Sequence, residues 1–165
     1  MSKSCYHGKN NTKPCPQGKN NSSADNILEV LCSWNSTQPD KRVFSFIESE
    51  ELGVVSKGTI AGGGAREVEL LTYSDVFVRA KTVAYKLLHF WNVQPRDRVI
   101  LAFPPGLDFL CAFLGCLWAG AIAVPIAAPR PTDLPKDLPS LRRIVNDCDA
   151  KVALTTRRYL ILLRF

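Results

Sequence analysis

The sequence predicts an α/β fold: a partial doubly wound parallel sheet, preceded by a small β-hairpin and a disordered N-terminal tail. Three observations carry that expectation. "RVILAF" (98–103) is apolar on both faces and β-prone, as a strand covered by helices on both sides must be. "AIAVPIA" (121–127) repeats the pattern, and "KVALTT" (151–156) supplies a third strand. Helical segments with capping signals alternate with these strands across short connections, the order of a parallel sheet with right-handed crossovers.

Each element has its own warrant. Residues 1–24 are mostly Asn, Lys, Ser and Gly with two prolines. They have too little to bury to offset the entropy of ordering, so they read as a tail. Asp25 is expected to cap a helix whose apolar positions are Ile27, Leu28, Val30, Leu31 and Trp34, and "STQPD" ends it. "RVFSFI" (42–47) and "REVELL" (66–71) read as a pair of strands. The "AGGGA" between them invites a phosphate-loop reading, but such a loop follows a strand and opens a helix. Here the glycines lead into a strand, so a hairpin connection is the better reading.

"TYSDVFVRAKTVAYKLLHFWN" (72–92) is the clearest helix. Thr72 with Asp75 three residues later makes a capping box, and Val76, Ala80, Val83, Ala84, Leu87, Leu88 and Trp91 form one stripe. His89 has no ligand partner at helical spacing and reads as structural. After the first parallel strand, "PPG" breaks the chain, and Asp108 is expected to cap a helix to Ala119 with Gly120 beyond its end. Ser140 is expected to cap a further helix, "LRRIVNDCD".

The 21 residues Phe109–Pro129 carry no charge, enough on hydropathy for a membrane span. Gly120 and Pro125 fall inside it, and proline costs a helix interior roughly 3 kcal/mol. No aromatic belt or one-sided positive flank accompanies the run. A buried helix followed by a buried strand accounts better for these features, with a span at 109–128 as the alternative.

Charge excludes one class of function. The net +6 resides in the ends: residues 27–156 hold 14 basic and 14 acidic side chains. A nucleic-acid surface needs basic residues clustered on a folded face, and none is expected here. Three of the six cysteines lie in apolar periodic stretches, where a free Cys packs as a small hydrophobe. Cys111 and Cys116 are about 140° apart around a helix, so one face cannot offer both to a metal. Cys5, His7 and Cys15 are zinc-ligand types without zinc spacing. No secretory or presequence pattern opens the chain, so a cytoplasmic, reducing setting is expected and the four Asn-x-Ser/Thr matches carry no weight.

"FPPGLDFLCAFLGCLWAGAIAVPIAAPRP" resembles the corresponding stretch of fatty-acyl-AMP ligases, a branch of the adenylate-forming superfamily. "NILEVLCSWNSTQPDKRVFSFI", "LTYSDVFVRAKTVAYKL" and "IVNDCDAKVALTT" are similar to the first helix and strand, the first large helix, and the strand before the phosphate loop of those enzymes. The likeness covers about 26–156.

The resemblance implies attack of a fatty carboxylate on the α-phosphate of ATP, giving acyl-adenylate and pyrophosphate, with later transfer to an acyl carrier protein thiol. It also implies that ATP and Mg²⁺ are held by parts lying after "KVALTT": a Ser/Thr/Gly-rich loop, an adenine pocket and a mobile lysine. "RRYLILLRF" has no glycine to serve as that loop. The chain therefore reads as an incomplete N-terminal subdomain (25–165) after the tail (1–24). It is expected to be inactive alone, to bind no cofactor and to self-associate through uncovered sheet edges. No residue is carried over as catalytic, cofactor-binding or metal-ligating. The ligand-face candidates are the turn Pro104, Pro105 and Gly106, because open α/β sheets place ligands at the carboxyl ends of their strands, and Arg130. A non-catalytic ligase-like module binding lipid or protein is the alternative function.

Overall fold

The computed structural model describes residues 26–49, 65–128 and 134–162. The tail, the "AGGG" segment, Asp25 and Arg130 lie outside them. Ten elements follow in order: α1 (Ile27–Thr37), β1 (Arg42–Ser49), β2 (Ala65–Thr72), α2 (Tyr73–His89), β3 (Arg98–Phe103), α3 (Leu107–Ala119), β4 (Ile122–Ala127), α4 (Leu134–Cys148), β5 (Val152–Leu154) and α5 (Arg157–Leu162). β1 and β2 pair antiparallel, and β4-β3-β5 form a parallel three-stranded sheet. The expected architecture is present.

The membrane alternative is not. α3 ends at Gly120, whose left-handed φ of 72° closes the helix, and the chain turns at once into β4. Ala121 N–H donates back to the Cys116 carbonyl at 2.9 Å. Among the described residues no helix is long and apolar enough to cross a membrane.

Local rules set most boundaries, and four of the differences from expectation show how. α1 is capped by Asn26, not Asp25: its Oδ1 accepts from Leu28 N–H at 3.0 Å and Glu29 N–H at 3.1 Å. α3 begins one residue before Asp108, with Gly106 as N-cap, so Asp108 sits in the first turn, where its charge favours the helix dipole. α4 starts well before Ser140 and runs through Pro139. β5 ends at Leu154 because Thr156 turns to capping: its Oγ1 accepts from Tyr159 N–H at 3.2 Å. The capping box of α2 forms as expected, with Asp75 Oδ2 accepting from Thr72 N–H at 3.0 Å and Thr72 Oγ1 accepting from Asp75 N–H at 3.2 Å.

α2 and α3 lie together over β3 and supply both core clusters. One cluster joins Ala84, Leu87, Ala112 and Cys116 to Val99 and Leu101 of the sheet. The other joins Val76, Ala80, Cys111 and Leu114 to Leu31 of α1 and Leu71 of β2. Between the helices stands Gly115, where a β-carbon would meet Val83 Cβ at 2.6 Å and the Ala80 carbonyl oxygen at 3.0 Å. Cys111 and Cys116 are free and buried, packing as small hydrophobes. Trp91 leaves the apolar stripe and is exposed, because α2 ends at His89.

The strands are pinned at their amino ends. Ile122 N–H donates to the Asp97 carbonyl and Arg96 N–H to the Gly120 carbonyl, each at 2.8 Å. Arg98 holds the end of α4 through the Cys148 carbonyl and, at 3.3 Å, the Asp149 carboxylate.

Two outcomes are expected. Gly115→Ala forces α2 and α3 apart and costs about 1–3 kcal/mol by urea denaturation; unchanged stability would contradict the packing. Thr72→Ala removes the cap, costing about 1 kcal/mol. Its hydrogen bonds hold the Asp75 carboxyl below its ordinary value. The folded pKa is thus the lower one, so this contribution is present above the unfolded value and disappears as pH falls through the folded one. In Thr72→Ala, an NMR titration should show the Asp75 pKa moving up.

Candidate functional site at the carboxyl ends of the strands

β3 lies between β4 and β5, so the chain leaves β3 toward one neighbour and later returns to its other side. In doubly wound sheets, ligands bind where strand order reverses in this way, outside the carboxyl ends. A crevice of about 380 Å³ opens there, walled by α2, the start of α3 and the ends of β3 and β5. Val83, Phe103, Ala112 and Leu154 give it apolar walls, and Arg79, Lys86, Asp108, Thr155 and Thr156 bring polar groups.

The predicted turn sits at this end of the sheet. Pro104 is half-buried, Pro105 exposed, and Gly106 takes φ 155°, a region that side chains strain to enter. The crevice walls are Phe103 before the turn and Asp108 after it; Pro104, Pro105 and Gly106 are not among them. Gly106 has no side chain with which to cap α3, so no side-chain hydrogen bond meets the first amides of that helix.

Sequence reasoning missed the residues that do wall the crevice. Arg79 lies off the apolar stripe of α2. Its Nη1 donates to Glu69 Oε1 at 2.7 Å and lies 3.9 Å from Asp108 Oδ1, and the Glu69 hydrogen bond pushes its pKa up. Thr155 carries a buried Oγ1 with no hydrogen-bond partner among the described residues, and Tyr159 a buried hydroxyl in the same condition. Burial pushes the Tyr159 phenol up, with Asp137 adding to the shift. The sequence reads Thr155 and Thr156 as the end of the strand "KVALTT", whereas β5 ends at Leu154.

The crevice holds no activated nucleophile. Desolvation pushes the Cys111 thiol up to about 11 against the opposing pull of Arg79, so it is protonated at neutral pH. Cys116 is likewise pushed up to about 11 by burial. His89 is exposed at the far end of α2, with its ring 4.4 Å from that of Tyr85. Among the described residues no three His, Cys, Asp or Glu side chains are grouped to hold a metal ion.

The comparisons agree with one another. The family model described as "AMP-binding enzyme" matches residues 33–163. Disco-interacting protein 2 of Drosophila melanogaster is 37% identical over 139 residues, which is 84% of this chain and 7% of that protein. The medium-chain-fatty-acid–[acyl-carrier-protein] ligase JamA of Moorena producens is 38% identical over 129 residues, 78% of this chain and 19% of the ligase. Among solved structures, a fatty acyl-adenylate ligase of Legionella pneumophila, in complex with acyl adenylate and pyrophosphate, aligns with a TM-score of 0.63 at 32% identity. That alignment covers 81% of this chain and 20% of the ligase. The chain thus spans a fifth or less of the length of each of these relatives, and its fold matches the N-terminal domain of adenylate-forming enzymes.

Thiol chemistry should follow burial. With iodoacetamide at pH 8, mass spectrometry should find Cys148, which is half-buried, alkylated well before Cys111 and Cys116, which react only once the chain is unfolded. Early labelling of Cys111 would mean that the crevice reaches deeper than described.

Proposed function

The chain belongs to the AMP-binding enzyme family, and from that premise we propose that it is the opening part of a fatty-acid-activating, AMP-forming ligase. The observation that carries this reading is the match to the Legionella ligase, whose structure holds acyl adenylate and pyrophosphate. The proposed reaction joins a fatty carboxylate oxygen to the α-phosphorus of ATP and expels pyrophosphate. The similarity to JamA supports an acyl carrier protein as acceptor. Residues 25–165 belong to the N-terminal subdomain in this proposal, and the location is cytoplasmic.

The described residues would supply scaffold, not chemistry. In the sequence the one glycine-rich run leads into β2 and not into a helix, where a phosphate loop would have to lead. Nucleotide and ion are therefore held outside the described residues in this reading. Arg79, tied to Glu69, braces the mouth of the crevice, and the uncapped start of α3 faces the strand ends from which a bound group would approach.

A second reading has an observation of its own. The similarity to Disco-interacting protein 2, whose name describes an interaction, supports a ligase-like module that binds lipid or protein. In both readings the 165 residues alone form no acyl-adenylate. Incubating the purified chain with a medium-chain fatty acid, ATP, Mg²⁺ and labelled pyrophosphate should give no fatty-acid-dependent exchange into ATP above a no-protein blank. Exchange above the blank would refute that, and would decide for the ligase reading at once.

A further inference from the structure

We draw no further inference here: the strongest candidate, the exposed ring cluster of Tyr85, His89 and Phe90 at the carboxyl end of α2, is an unpartnered surface patch, and nothing in the structure shows what covers it.

Discussion

The described fold depends on how closely α2 and α3 approach. At Gly115 there is room for a hydrogen and nothing larger, since a β-carbon would stand 2.6 Å from Val83 and 3.0 Å from the Ala80 carbonyl oxygen. Interiors are packed near crystal density, so such a contact transmits displacement and does not absorb it. Both core clusters draw on both helices, one reaching the sheet and the other reaching α1 and β2. The hairpin and the parallel sheet are therefore joined through this helix pair. Phe77 and Trp118 meet edge to face at 5.3 Å across the same seam, and the Lys81 ammonium lies 4.6 Å from the Trp118 ring centroid. These contacts close the solvent side of the seam without adding a buried charge.

With α3 held there, its two ends acquire different characters. The carboxyl end is closed: Gly120 is left-handed, and backbone hydrogen bonds from Arg96, Ala121 and Ile122 tie the starts of β3 and β4 together. The amino end is open, with a glycine cap and no side-chain hydrogen bond. On the open side the Thr155 hydroxyl is buried without a partner among the described residues. Leaving such a group unsatisfied costs about 1–3 kcal/mol, which makes this end the place where a further polar group gains most by arriving.

Much of this was legible in the sequence, and the parts that were not share a cause. β3 was read to the residue because a strand buried on both faces leaves a continuous apolar run, and the α2 capping box was read because Thr72 and Asp75 are local in the chain. The failures are of two kinds. Boundaries slipped where two residues compete for one role, as Asn26 displaced Asp25 and Gly106 displaced Asp108; a one-residue difference in cap position has no periodic signature. α4 also extended through Pro139, a residue whose usual effect is to stop a helix. The crevice was missed for a different reason. Arg79 and Thr155 are 76 positions apart, and only the return of the chain across β3 brings them to one cavity. The turn at Pro104 to Gly106 was legible as an end-of-strand feature, but whether a turn lines a crevice or merely borders it depends on the packing of α2, which no local pattern reports.

The same geometry explains why family membership is firm here while activity is a proposal. The chain is about equally similar to a named fatty-acid ligase and to Disco-interacting protein 2, at 38% and 37% identity. Similarity in this region follows the requirements of a scaffold: a glycine between helices, capped ends and doubly apolar strands. None of those requirements distinguishes a catalyst from a binding module. The groups that face the crevice support that view. Cys111 is held protonated, Arg79 is committed to Glu69, and Asp108 lies exposed near Arg79. Each of them shapes the crevice. The described residues thus mark where a ligand can approach, at the carboxyl ends of the strands.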